Sequence, residues 1–162
     1  MEKKFELTDN FIINAFGVKL FQIKCTKSFK YAKEGDLGGY VEKDENLDQE
    51  SDAWVYGDAR VSDNARVSGD ARVYGDARVY GDAEIDNNNK HCGFDCFGSA
   101  NRHTHAYLTK ENKVEITCGC FRGSIEEFEK RVEETHSGTI YEKQYKAIID
   151  VIKIKFGLTD LI

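Results

Sequence analysis

The 162-residue sequence has no apolar run that approaches the ~18–20 residues needed to span a bilayer, so no membrane helix is expected. Its charged start, Met1-Glu-Lys-Lys, leads into an alternating segment and not into the apolar core of a signal peptide. Together these two absences predict a cytoplasmic protein with no membrane partner.

A glycine-rich phosphate loop is also absent. The pair Gly38-Gly39 and the scattered Gly-Asp steps match neither the nucleotide-binding fingerprint nor its strand-to-helix context. The cysteines are an odd number, which argues against a complete disulfide framework and suits a reducing compartment: Cys25, Cys92, Cys96, Cys118 and Cys120.

The middle of the sequence contains a six-residue repeat. In a unit such as Ala71-Arg72-Val73-Tyr74-Gly75-Asp76, a small alanine and a branched apolar residue lie two positions apart and share one face of an extended segment. The residues between and after them are expected to face outward. A Gly-Asp step, replaced once by Asp63-Asn64, ends each unit and is typical of a turn. The inward pairs begin at Ala53, Ala59, Ala65, Ala71, Ala77 and Ala83.

A short strand and a corner at a fixed period of six predict a short left-handed parallel β-helix, in which three units make one triangular turn. Residues eighteen apart then stack at the strand spacing of ~4.8 Å, which places Tyr56 on Tyr74 and Arg60 on Arg78. Residues 52–87 supply two turns, and residues 36–51, with Leu37, Val41 and Leu47, supply an irregular earlier one.

The predicted fold is therefore mainly β with an α+β C-terminal part, in three regions. Residues 1–35 are expected to form a β-hairpin that caps the hexapeptide solenoid of residues 36–88. Residues 89–162 are expected to form a ββαα domain, with strands at 105–109 and 113–118. Its helices start at the capping box Ser124-Ile-Glu-Glu127 and near Thr139.

The net charge of −6 is distributed unevenly. Residues 44–86 carry four arginines against twelve acidic residues, whereas the segments on either side are close to neutral. An acidic solenoid is a poor match for nucleic acid or an anionic lipid surface, so no direct nucleic-acid contact is expected and a protein partner fits better.

The chain resembles, over nearly its whole length, proteins predicted in phages and prophages in which a hexapeptide solenoid precedes a small α+β domain. The resemblance rests on Gly39-Tyr40-Val41-Glu42-Lys43, the tandem Val-Tyr-Gly-Asp-Ala-Arg units, Phe97-Gly98-Ser99, Cys118-Gly-Cys-Phe121, Gly123, Glu127-Phe128 and Glu134-Thr-His136. It implies a mobile-element protein with a β-helix and a cap. It also implies a non-enzymatic binding protein that antagonises a bacterial defence system, such as a CRISPR-Cas-type complex, through protein contacts.

Two other functions stay open. One is an oligomeric sponge that buries a signalling nucleotide between protomers. The other is a hexapeptide acyltransferase, which uses a histidine as general base; residues 1–90 contain no histidine, so one of the four later ones would have to fold back over the solenoid. Solenoid faces commonly pack into closed symmetric assemblies, and a homo-oligomer is expected.

Candidate binding residues are the arginines and tyrosines of the outward rows, with two later arginines, because guanidinium groups and aromatic faces can form an anion pocket. They are Tyr56, Arg60, Arg66, Arg72, Tyr74, Arg78, Tyr80, Arg102 and Arg122. The alternative is a set of surface rows that neighbouring aspartates neutralise. No catalytic residue is assigned.

The C-terminal part also holds enough soft ligands for a tetrahedral zinc, at His91, Cys92, Cys96, Cys118, Cys120 and His136. Their spacing is imperfect, because Cys118-Gly-Cys120 would chelate one metal only with strain. The alternative is that the cysteines are small buried residues and that His136 caps a helix end. No other cofactor is expected.

Overall fold

A computed structural model of the protein describes residues 2–159, and the chain divides into two compact units, Met1–Asn88 and Asn89–Ile162. The protein is mainly β, with two helices near the C-terminus. Among the described residues, no helix combines the length and hydrophobicity required to cross a membrane. The first unit contains both the N-terminal segment and the repeat.

The first unit begins with an antiparallel hairpin of β1 (Phe5–Ile13) and β2 (Lys19–Cys25), and β3 (Leu37–Val41) pairs antiparallel with β2. The turn between β1 and β2 is held by the Asn14 side chain, which accepts hydrogen bonds from the amides of Phe16 and Val18 at 2.9 Å. Leu20 and Ile23 of β2 are both fully buried, although regular alternation would place residues three apart on opposite faces of a strand. The pairing of β2 is irregular with both neighbours, because β1 and β3 each contain extra residues opposite it.

The repeat forms six two-residue strands: β4 (Trp54–Val55), β5 (Arg60–Val61), β6 (Arg66–Val67), β7 (Arg72–Val73), β8 (Arg78–Val79) and β9 (Glu84–Ile85). Each strand pairs in parallel with the strand eighteen residues later, which gives the ladders β4–β7, β5–β8 and β6–β9. The repeated alanines and branched residues are buried throughout. The predicted period, parallel pairing and inward face are confirmed.

The first turn of the repeat is irregular, as the sequence predicted. Val41 pairs with Val61 and Leu47 with Val67, an offset of twenty residues. Because Val41 and Leu47 keep the six-residue spacing, the two extra positions lie between Leu47 and the start of β4. A short 3-10 helix at Asp44–Asn46 precedes Leu47, and the buried Asn46 amide donates to the Ala65 carbonyl at 2.9 Å. Leu37 does not join the interior, because it lies on the part of β3 that pairs with β2 and is 56% exposed.

The corners of the repeat adopt the left-handed backbone conformation that the Gly-Asp steps predicted. Their φ angles lie between 59° and 66°, at Gly57, Asp63, Gly69, Gly75 and Gly81. Glycine meets no steric penalty there, and aspartate is among the few other residues that tolerate it. The Asp63 carboxylate also accepts a hydrogen bond from the Gly81 amide, eighteen residues later, at 3.0 Å.

The second unit contains a four-stranded antiparallel sheet in chain order, formed by β10 (His91–Phe97), β11 (Arg102–Leu108), β12 (Val114–Cys118) and β13 (Phe121–Gly123). The unit is thus ββββαα and not the predicted ββαα. The sequence missed β10 because it contains Gly93 and Asp95, which are weak strand formers, and it missed β13 because that strand has only three residues.

The two helices follow the sequence prediction closely. They are α1 (Ile125–His136) and α2 (Ile140–Lys155), and both pack on the buried sheet residues Ala106 and Ile116. The Ser124 hydroxyl accepts from the Glu127 amide at 3.1 Å, and the Glu127 carboxylate accepts from the Ser124 amide at 3.2 Å. This reciprocal pair satisfies amides that a helix start leaves unbonded, so the predicted capping box is confirmed.

Candidate functional site

The predicted binding residues of the first unit are spread over three ladders. Arg60 and Arg78 stack in register on β5–β8, Arg66 faces Glu84 on β6–β9, and Arg72 faces Trp54 on β4–β7. Arg66 also lies 3.6 Å from the Asp48 carboxylate. The arginines therefore do not converge on one pocket.

One surface pocket of the first unit combines aromatic side chains with one arginine, one leucine and one carboxylate, and it is lined by Tyr31, Asp36, Leu37, Trp54, Tyr56 and Arg72. Tyr56 stacks on Tyr74 with ring centroids 5.3 Å apart, and the Arg72 guanidinium lies 4.7 Å from the Tyr31 ring centre. Leu37 and Tyr74 are more than half exposed, at 56% and 55%. We name Tyr31, Leu37, Tyr56, Arg72 and Tyr74 the tyrosine–arginine patch.

Packed aromatic rings and a hydrogen-bonded carboxylate hold the side chains of this patch in place. Trp54 lies buried beneath it, with the Phe29 ring edge-on at 5.3 Å. The Tyr31 hydroxyl donates to Asp70 at 2.7 Å, and the Lys30 ammonium lies 3.2 Å from the same carboxylate. These two donors hold the pKa of Asp70 below its ordinary value, so the carboxylate that orients Tyr31 stays charged.

Tyr80 departs from the predicted outward row. It is only 5% exposed, and the Phe16 ring from the β1–β2 turn meets it edge-on at 6.1 Å. The repeat pattern predicts that Tyr80 points away from the solenoid interior. It cannot predict that the β1–β2 turn covers this residue, because that turn is distant in the sequence.

The second unit contains a cavity of about 200 Å³. Its wall combines two guanidinium groups and an imidazole with aromatic rings and small polar groups, and none of the described residues contributes a carboxylate to it. The lining residues are Ser99, Ala100, Arg102, Cys118, Cys120, Phe121, Phe128, Arg131, Val132, Thr135, His136 and Tyr145. We name this space the arginine-lined cavity.

Both arginines of the cavity are positioned by neighbouring groups. Arg102 lies over Gly119, whose φ of 58° shapes the tight β12–β13 turn and whose missing side chain leaves room for the guanidinium. The Arg131 guanidinium lies 5.4 Å from the centre of the Phe121 ring. This distance is within the range of a cation–π contact.

The aromatic wall of the cavity is a connected cluster. The His136 ring stacks on Tyr145 at 5.5 Å, and Phe128 meets Tyr145 edge-on at 5.5 Å. The Tyr145 hydroxyl lies 3.5 Å from the Phe97 carbonyl and 3.8 Å from the Cys118 sulfur. Burial and the adjacent thiol raise the pKa of Tyr145, so its hydroxyl stays neutral and can donate.

The predicted zinc ligands separate into two groups. Cys118, Cys120 and His136 line the arginine-lined cavity, whereas His91, Cys92 and Cys96 do not. His91 and Cys92 are successive residues of β10 and so point to opposite faces of the sheet. Within residues 2–159, no group of three or more His, Cys, Asp or Glu side chains is arranged to hold a metal. Zinc therefore stays a prediction from the sequence alone.

The cysteines also fit the alternative interpretation only in part. All five are free, and Cys25 is buried, whereas Cys92 and Cys118 are half-buried against the core of the second unit. Cys96 and Cys120 are exposed. Burial raises the pKa of the Cys92 thiol to about 11, so this thiol is unreactive at neutral pH.

A hydrogen-bonded chain of side chains, missed by the sequence reasoning, runs across one face of β10 and β11. Asp95 lies 2.5 Å from Nδ1 of His103, Nε2 of His103 lies 2.9 Å from Nδ1 of His105, and Nε2 of His105 lies 3.0 Å from Nδ1 of His91. A side chain at Gly93 would overlap the His103 and His105 rings. We name these residues the histidine chain.

The signal for this chain was present in the sequence as an alternation. His103 and His105 lie two apart on β11, and His91 and Asp95 lie four apart on its neighbour β10. Such spacings place the side chains on one face of a sheet. Because the sequence did not predict a strand at residues 91–97, His91 was grouped with its neighbour Cys92.

Comparison with known proteins identifies the repeat. A family model described as the YdcK beta solenoid repeat matches residues 53–69, 59–73 and 71–83. These overlapping matches agree with the parallel ladders and cover the repeat but neither flanking region. A search of curated proteins found no match.

Proposed function

We propose that the protein is a non-enzymatic binding protein of a mobile element that contacts a component of a bacterial defence system. The observation that carries this proposal is the tyrosine–arginine patch. Tyrosine, tryptophan and arginine contribute most of the binding energy at protein interfaces, and here Tyr74 and Leu37 are exposed beside Arg72. A stacked and anchored surface also loses little side-chain entropy on binding.

The finer features of the fold belong to the same proposal. We take the solenoid to be left-handed and the β1–β2 hairpin to cap its first turn. The pairing supports a cap, because β3 bonds to β2 on one side and to β5 on the other. An edge that is already paired cannot recruit a strand from another chain, which leaves the side surface for binding.

The class of target follows from the resemblance to phage and prophage proteins and from charge. Residues 44–86 carry a large excess of acidic residues, which disfavours direct contact with nucleic acid. The proposed partner is therefore a host protein in the bacterial cytoplasm, such as a subunit of a CRISPR-Cas-type complex. A homo-oligomer would present several copies of the patch and raise the effective affinity.

Affinity capture from bacterial lysate tests the proposal with three forms of the protein. Wild type should retain a stoichiometric host protein, and the double variant Arg72→Glu with Tyr74→Ala should lose it. Arg66→Glu is the matched control, because Arg66 lies on a different ladder and should leave capture unchanged. The captured protein should belong to a defence system that the wild type inhibits in an interference assay.

Two results would contradict the proposal. One is capture that survives the double variant, provided that its thermal unfolding matches wild type. The other is equal loss of capture in Arg66→Glu, which would indicate a nonspecific charge effect rather than a defined surface.

A further inference from the structure

We propose that the arginine-lined cavity binds a small phosphate ester that carries one planar ring. The site lies wholly within the second unit, so the inference does not depend on the protein contact proposed above. Charge, aromatic surface and volume each restrict the ligand, and the three restrictions agree.

The charge of the cavity selects an anion. Arg102 and Arg131 contribute two guanidinium groups, and no described residue of the lining contributes a carboxylate to neutralise them. No ion pair within residues 2–159 involves either arginine. Guanidinium groups bind phosphate through paired N–H donors, and the neutral hydroxyls of Ser99 and Thr135 can donate to remaining oxygens.

The aromatic surface selects a planar ring. Phe121 and His136 are half-buried at the wall, while Phe128 and Tyr145 lie buried behind them. The Phe121 ring is 5.1 Å from Phe128, and the His136 ring is 5.5 Å from Tyr145. Supported rings of this kind offer a fixed face for offset stacking.

The volume limits the size of the ligand. Pockets for drug-sized molecules measure roughly 300–1,000 Å³, whereas this cavity measures about 200 Å³. Its enclosed part accommodates one ring and one phosphate group, and any larger ligand would extend out of its open side. The ligand class is therefore an aryl or heterocyclic phosphate monoester, of which a nucleoside monophosphate is the biological form most easily tested.

Calorimetric titration of the full-length protein with three probes tests the site. Phenyl phosphate carries both features, inorganic phosphate carries the charge alone, and phenol carries the ring alone. Phenyl phosphate should bind at least about tenfold more tightly than either fragment, because only it uses both the guanidinium groups and the aromatic wall. The four ribonucleoside monophosphates then determine whether a nucleobase is the preferred ring.

Matched variants locate the binding. Arg102→Gln and Arg131→Gln should each weaken phenyl phosphate at least about tenfold, since each removes one charged donor. Arg122→Gln is the control, because Arg122 is on the same sheet, pairs with Glu115 and does not line the cavity. Phe121→Leu should reduce the preference for phenyl phosphate over inorganic phosphate, because it removes a stacking face that only the phenyl ring uses.

The inference is overturned if phenyl phosphate binds no more tightly than inorganic phosphate. It is also overturned if both arginine variants bind phenyl phosphate as wild type does, or if Arg122→Gln weakens binding equally. Thermal unfolding of each variant separates loss of the site from loss of the fold. Because the lysate capture uses variants of the first unit only, either proposal can fail while the other stands.

Discussion

Two residues of the histidine chain, His91 and His105, respond to pH because their buried rings are held neutral. Burial, with a smaller contribution from the Lys155 charge, lowers the pKa of His91 to about 4, and burial lowers the pKa of His105 well below its ordinary value. A neutral ring has one N–H and one lone pair, so each can donate to one neighbour and accept from the next. Protonation would leave two donors facing each other.

We expect the second unit to lose stability between about pH 6.5 and pH 4. An unfolded histidine has a pKa near 6.5, so the unfolded state binds more protons than the folded state across this window. The stability contributed by the neutral ring is complete above the unfolded pKa and is lost as pH falls through the folded pKa. For His91 the loss is on the order of 3 kcal/mol.

Urea denaturation at a series of pH values measures this effect. His91→Asn should be less stable than wild type at pH 7.5 but should show a smaller fall between pH 7 and pH 5. Carboxylates also titrate near the lower end, so the comparison rests on the difference between the two proteins. Parallel curves for wild type and variant would show that His91 is not the responsible group.

At the scale of elements, the sequence pattern predicted those features that depend on residues close together along the chain. The inward alanine and valine positions, the glycine corners and the capped helices follow from side-chain period and backbone preference, and the structure has them. Trp54 is buried although its position is outward, because Phe29 from a distant loop packs on it. The arginine-lined cavity likewise joins residues from two turns, three strands and both helices, and no local pattern predicts that convergence.

The corners of the solenoid offer a direct test of backbone strain. Gly75 has a φ of 66° and open space around its Cα, so a substitution there encounters conformational strain and no clash. Gly75→Ala should cost about 1–2 kcal/mol of unfolding free energy. Gly75→Asn should cost less, because asparagine tolerates this conformation, as Asp63 does at the equivalent corner.

Chemical denaturation of both variants gives the comparison. Equal costs for alanine and asparagine would indicate that the corner does not select residues by φ. A cost near zero for alanine would show that the backbone relaxes at this position.

On the scale of the whole molecule, the expected assembly is a closed homo-oligomer. The parallel ladders repeat side chains along each face of the solenoid, and soluble homo-oligomers most often close symmetrically. Light scattering coupled to size exclusion should give a mass of two or more whole multiples of the chain mass. A single-chain mass at every accessible concentration would rule out the assembly and remove the multivalent advantage from the proposed function.

Because paired strands lie eighteen residues apart, the solenoid can change in length while each ladder keeps the same side chains. Duplicating residues 65–82 would add one layer, ~4.8 Å thick, and return every later side chain to its own ladder. Duplicating only the hexad of residues 65–70 would instead advance all later side chains to the next ladder, so Arg72 would no longer stand over Trp54. Natural or engineered variants of this protein should therefore lengthen by multiples of eighteen residues, each of which adds one whole layer.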